Sequence, residues 1–272
     1  PIVYEGNGAG QRVGNFIPFT DTFAIGASCR FDKGDSDSLS NTLSTSPTSD
    51  QIFTMSAWYK RGNDVNQSAD VTIFGNRVSG PDQGFLDIRS DKIVWGLKGP
   101  GISTGSDLIN SDIQLDDVSS WYHIMAAVDT TQAVGSNRVK IYLNGVQVTD
   151  WGTEVEITQN GTSTSFNYGD GVSYIGSWDG GEAFLDGYLA DVVWIDGQQL
   201  TPSSFGETDT STNRWIPKDV SGLTFGNNGY YLAFASENNL GDDTSGNTND
   251  FTENNLDSTN GSNQMYDTPS QN

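Results

Sequence analysis

The sequence predicts an all-β chain built as two antiparallel sheets packed face to face. Two observations carry that. Apolar residues alternate with a period of two through most segments, and clusters of Gly, Asn, Asp, Ser and Thr separate one segment from the next. No long segment shows the 3.6-residue period of an amphipathic helix.

The elements follow in order. FAIGASCRF (23–31), FTMSAWYKR (53–61), VTIFGNRV (71–78), GFLDIR (84–89) and KIVWGLK (92–98) read as strands, as does WYHIMAAVD (121–129). In VKIYL (139–143), Val139, Ile141 and Leu143 share one face, and Lys140 and Tyr142 the other. Asn144-Gly145 then forms a primed-type hairpin turn into VQV (146–148). VSYIGSW (172–178), YLADVVWID (188–196) and GYYLAFA (229–235) complete the strands. TPSSFGE (201–207) reads as a single helical turn, with Thr201 as N-cap and Pro202 at the first helical position. Each sheet is expected to bury one face.

Composition removes several function classes. The 272 residues hold 13 Lys+Arg against 35 Asp+Glu, for a net charge of −22, with one His and one Cys. Such acidity repels nucleic-acid phosphates and anionic membrane surfaces alike. Cys29 has no partner for an internal disulfide, and a single His123 excludes a multi-His zinc site. The longest apolar run, Tyr230 to Ala235, falls far short of the roughly 20 residues that span a bilayer. PIVYEGNGAG at the start has neither region of a signal peptide, and Pro1 fits removal of an initiator Met.

Three regions result: an extended segment 1–22 with anchors Val13, Phe16, Ile17 and Phe19, a sandwich 23–235, and an acidic, Asn-rich extension 236–272. The extension carries few anchors, Leu240, Phe251, Leu256, Met265 and Tyr266, so it cannot build a core of its own. It is expected to wrap over a neighbouring surface or a subunit contact, the alternative being a mobile tail.

Four stretches in sequence order resemble a laminin-G-like domain: SCRFDKGDSDSLS (28–40), FTMSAWYKR (53–61), WYHIMAAVDTT with RVKIYLNGVQV (121–131, 138–148), and YIGSW with FLDGYLADVVWIDGQQLTPSSFGE (174–178, 184–207). The resemblance implies the concanavalin A-like jelly roll shared by lectins and some glycoside hydrolases. Segment 214–272, most specifically GYYLAF (229–234), LGDDTSGNTNDFTENNL (240–256) and DTP (267–269), is similar to the ends of such domains in structural proteins of tailed bacteriophages, particularly marine ones. That implies a non-enzymatic protein of the virion surface, a capsid decoration, head-fibre or tail-fibre module. Its partners would be capsid or tail proteins, further copies of itself, with a trimer expected, and host-surface glycans. A secreted carbohydrate-binding module and a glycan-cleaving enzyme are the alternatives.

Glycans stack on aromatic rings beside polar groups, which points to Trp178 with Asp179, and secondly to Trp151. Trp58, Trp121 and Trp194 are assigned to the core. Laminin-G-like domains often hold calcium at one rim, and oxygen-rich loops offer Asp35, Asp37, Asp179 and Glu182. No glycosidase acid triplet appears; Glu154-Val155-Glu156 is the nearest string. His123 is expected to be a structural histidine and Cys29 an inert buried thiol. Sequons at Asn66, Asn160 and Asn260 match chance at this Asn content.

Overall fold

The computed structural model describes residues 23–43, 45–62, 70–77, 83–97, 102, 109–154, 156–162, 166, 171–257 and 262–269. The expected segment 1–22, Asn66 and Asn260 lie outside them. Two eight-stranded antiparallel sheets form the sandwich.

The first sheet is centred on β3 (Ile52–Arg61). On one side lie β8 (Trp121–Asp129), β9 (Val139–Leu143) and β10 (Val146–Gln147). On the other lie β13 (Gly187–Asp196), β1 (Ser28–Phe31) and the edge strand β18 (Gln264–Met265), and β16 (Tyr230–Leu232) also pairs with β13. The second sheet runs β11 (Trp151–Glu154), β7 (Ile109–Gln114), β6 (Lys92–Leu97), β5 (Gln83–Arg89), β4 (Val71–Arg77), β12 (Val172–Ile175), β2 (Ser38–Thr42), β17 (Thr252–Asn254). A small ribbon of β14 (Gly206–Thr208) and β15 (Trp215–Pro217) stands apart.

Alternation fills the interior as the sequence requires. Phe53, Met55, Ala57 and Tyr59 of β3 and Ile124, Ala126 and Val128 of β8 meet Leu86, Ile88, Ile93 and Trp95 of the second sheet. Trp194 lies in the middle of this core, stacked on Phe53 with ring centroids 5.0 Å apart. Cys29 is fully buried there, and burial pushes its thiol up, as expected for an inert thiol.

The expectation of one buried face per sheet does not hold. Thr54, Ser56 and Trp58, on the other face of β3, are buried too. Phe205, Val220, Phe225 and Tyr231 pack on Met125, Ala127, Val193 and Ile195 to make a second, outer core on the first sheet. Residues after β13 therefore form a covering layer rather than a connection. Within that layer the predicted helical turn shortens to a 3-10 turn, Pro202–Ser204, and the Thr201 side chain makes no capping bond.

Several strands end earlier than their apolar runs. Only Ser28–Phe31 of the first candidate is ladder-bonded; Phe23 and Ile25 pack instead beside Trp58 and Trp121. β12 stops at Ile175, because Gly176 turns with φ 80° against the Phe31 ring. The Asn144-Gly145 turn forms as predicted, with φ 48° and 78°.

The acidic, Asn-rich extension is woven into both sheets. β17 pairs with β2 and β18 with β1, closing one edge of each sheet. Leu240, Phe251 and Leu256 are buried in the main core, while Tyr266 is exposed. The motif explains itself through hydrogen bonds. The Asp243 carboxylate accepts from the backbone amides of Tyr231, Ser245 and Asn249, each at 2.9 Å. The side-chain amides of Asn247 and Asn249 donate to the Gly229 carbonyl, each at 2.9 Å. Acid and amide side chains thus serve as backbone partners where no strand runs.

Phe251 packs its ring edge-on to Tyr230, centroids 4.7 Å apart. Phe251→Ala is expected to destabilise the chain by about 3–5 kcal/mol, read from the midpoint of urea unfolding. An unchanged midpoint would show that the extension contributes nothing to the core.

Candidate functional site

Among the described residues, two open concave features stand on different sheets. The larger is a groove of about 710 Å³ at one end of the first sheet. Its walls come from distant parts of the chain: Trp58 of β3, Trp121 of β8, Asn144 and Val146 of the β9–β10 hairpin, Arg214 just before β15, Trp215 at its start, and Pro269.

Backbone geometry sets these groups in place. The Asn144 side chain accepts from the His123 amide at 2.8 Å, and the Asn144 amide donates to the His123 carbonyl at 2.8 Å. A Cβ on Gly145 or Gly206 would run into the Trp215 ring, so both glycines let the indole lie on bare backbone. Trp121 Nε1 donates to Asp267 at 3.3 Å, and Lys60 bonds the same carboxylate at 2.7 Å. Ser119 and Ser120 donate to Asp117 at 2.7 and 2.6 Å, which holds that carboxyl below the usual range. Val146 is 71% exposed at the rim.

The smaller feature is a recess of about 240 Å³ on the outer face of the second sheet, lined by Asp70, Gln83, Phe85, Asp87, Arg89, Trp178 and Ala183. Trp178 meets Phe85 edge-on, with centroids 6.4 Å apart and planes at 89°. The Arg89 guanidinium lies 4.6 Å above the Phe85 ring centroid and bonds Asp87 at 2.8 Å and Asp70 at 3.2 Å. Asp87 is 2% exposed; burial pushes its carboxyl up to about 7, although Arg89 pulls the other way. The loop carrying Trp178 is closed on itself, with Trp178 N bonded to Glu182 O at 3.2 Å and Gly180 N to Ser177 Oγ at 2.8 Å. It rests on Gly75, where a Cβ would strike the Ser177 and Trp178 carbonyls.

Residues 33–204 match the family model described as the concanavalin A-like lectin/glucanases superfamily. The chain belongs to this family. No curated protein matches this lectin-like chain. Among solved structures it is similar to a suggested carbohydrate-binding protein of Bacteroides ovatus (TM-score 0.52, 18% identity), covering 86% of this chain and 61% of that one. It is also similar to domains LG4-5 of the mouse laminin alpha1 chain (TM-score 0.39, 11% identity), covering 62% and 40%. The binding domain of botulinum neurotoxin DC, solved with rat synaptotagmin II, matches with TM-score 0.37 and 16% identity, covering 61% and 40%. At these identities the likeness concerns the lectin-like fold.

The sequence candidates fall in different places on the lectin-like domain. Trp178 lines the recess, and Asp179 closes the adjoining turn by accepting from Gly181 N at 3.0 Å. Trp151 lines neither feature; it packs against the core at the edge of the second sheet. Of the calcium candidates, Asp37 is buried and spent on structure, its Oδ2 accepting from Asp32 N and Asn263 Nδ2, each at 2.9 Å. Asp35 and Glu182 are exposed. Among the described residues no three His, Cys, Asp or Glu side chains are grouped to hold a metal ion. Trp58 and Trp121 are buried, as expected of core residues, yet their edges reach the groove. Trp215 and Arg214 were not singled out by sequence reasoning, although a Trp following the turn-rich DTSTNR stretch is the same signal that marked Trp178.

Beneath the groove lies a buried polar set. His123 Nε2 is 2.8 Å from Ser56 Oγ, its ring lies between Trp58 and Trp215, and its Nδ1 has no hydrogen-bond partner. Asp191 accepts from the Tyr231 hydroxyl at 2.8 Å instead of from His123. The space these groups enclose admits no water. Ser, His and Asp are therefore present without the chain of bonds or the access a nucleophile needs.

Burial drives His123 down to about 3 and Asp191 up to about 7, the Tyr231 bond opposing the latter. Between the ordinary carboxylate range and pH 7 the folded chain keeps a proton on Asp191 that the unfolded chain has lost. Its contribution to stability therefore falls as pH rises through that window and is level above it. Asp191 sits at a β-bulge with φ 44°, which Asn tolerates. Asp191→Asn is expected to be more stable than the parent by roughly 2–4 kcal/mol at pH 8, with the gain shrinking towards pH 4 in urea unfolding. An equal gain at both pH values would show that this carboxyl does not titrate.

Proposed function

We propose that this lectin-like domain binds carbohydrate without cleaving it, and that the groove at Trp58, Trp121 and Trp215 is where an oligosaccharide lies. One observation carries the reading: indole edges, amides, hydroxyls and Arg214 line the groove, and the carboxylates beside it, Asp117 and Asp267, are taken up by Ser119, Ser120, Trp121 and Lys60. Sugar rings present apolar C–H faces to aromatic surface and hydroxyls to small polar groups. Hydrolysis would need two carboxyl groups across the cleft. The buried Ser56–His123 pair, which Asp191 does not join because it bonds Tyr231, adds support to binding rather than catalysis.

The setting we propose is the surface of a tailed-phage particle, with capsid or tail proteins as anchors and host glycans as targets. The resemblance of segment 214–272 to phage structural proteins, read from the sequence alone, supports it, as does the net charge of −22, which keeps crowded copies dispersed. Several copies would raise weak contacts to useful avidity.

Val146→Arg places a long side chain across the groove mouth from an exposed position. It is expected to weaken oligosaccharide binding tenfold or more on a glycan array and in calorimetry while leaving the melting temperature unchanged. Oligosaccharide affinity unchanged by this substitution, or no binding to any glycan, would overturn the reading. For the setting, electron microscopy of the parent particle is expected to show this chain's density on its surface; its absence from the particle would remove the virion role and leave the lectin.

A further inference from the structure

We infer that the recess at Trp178 is a second carbohydrate site, separate from the groove, that takes one terminal uncharged sugar residue and rejects acidic sugars. The inference rests on the carbohydrate reading but uses the other sheet.

Size comes first. About 240 Å³ lies below the roughly 300–1,000 Å³ typical of pockets for whole ligands, so the recess holds a single ring rather than a length of chain. The walls then divide the tasks. Trp178, half-buried, is the aromatic wall against which a pyranose C–H face can stack. Gln83 supplies both a donor and an acceptor.

Charge sets the specificity. Arg89 is the cation of the recess, and both Asp87 and Asp70 already bond it. Two carboxyl groups against one guanidinium leave no positive surplus to attract a uronate or sialate carboxylate. They offer acceptors to sugar hydroxyls instead. Asp87 Oδ2 takes Arg89, and the rest of the carboxyl faces Thr72 across the ladder. The site is also held ready before any ligand arrives. Arg89 is fixed between two acids and the Phe85 face, and Thr72 N bonds Ala183 O at 3.0 Å to pin the Trp178 loop to β4.

The test uses the whole chain, titrated with methyl glycosides of neutral hexoses and with a methyl uronoside, read by saturation-transfer NMR and tryptophan fluorescence. Neutral glycosides are expected to bind and to quench fluorescence, the uronoside at least tenfold more weakly. Trp178→Ala and Asp87→Asn should each cost tenfold or more in affinity, while Val146→Arg leaves neutral monosaccharide binding unchanged. Gln83→Ala, at a partly exposed position, serves if either of the first two variants misfolds, and should weaken binding as well. Equal affinity for the uronoside would overturn the inference, as would indifference to all three recess variants or loss on Val146→Arg. Oligosaccharide binding that Val146→Arg does not weaken, with monosaccharide binding behaving as expected, would count against the groove alone.

Discussion

Everything on the first sheet follows from its being buried on both faces. β3, β8 and β13 send apolar side chains inward to the main core and present a second set to the layer that follows β13. A sheet covered on both sides has no water to satisfy the polar groups on its outer face. Ser56 therefore finds His123, Thr54 finds the Gln198 carbonyl at 2.7 Å, and Asp191 finds Tyr231. Where the layer stops short, at the end nearest Trp215, the same face opens as the groove. Its aromatic walls are the margin of a packed core, which is why they are rigid.

The second sheet is arranged differently. Its outer face carries Phe85, Asp87 and Arg89 on a single strand, with a short closed loop laid across Gly75 to bring in Trp178. Two concave features thus arise by two routes, one at the margin of a covering layer and one where a loop is pinned to a strand. They draw on different side chains, so each can change without disturbing the other.

Much of this was legible in the sequence. Alternation identified the central strands, because each places apolar residues on a core-facing side whatever covers the other. Asn144-Gly145 was readable because its turn is local chemistry. Trp178 was readable as a ring beside a flexible acidic turn, although its partners Phe85 and Arg89 lie far away in the chain. Other features depended on distant residues. β17 and β18 are short, polar strands whose pairing is set by the edges they reach, so TEN and QM carry no periodic signal. Trp58 and Trp121 looked like core and are core; only the three-dimensional arrangement reveals that their edges form a wall with Trp215. Asp37 looked like a calcium ligand because an acidic turn and a structural Asp are the same residues in sequence, and its bond to Asn263, 226 residues away, could not be read from spacing.

That closure by late strands has a kinetic consequence. The Ser28 hydroxyl donates to the Asp267 carbonyl 239 residues further on, and β1 pairs with β18. Neither sheet can complete its edge until almost the whole of this sequence has left the ribosome. Contacts so distant along the chain make folding slow, and each unfinished sheet meanwhile shows an unpaired strand that can bind a neighbouring copy. A charge of −22 keeps nascent and finished chains apart during that interval, so the acidity protects the folding of the molecule as well as its solubility.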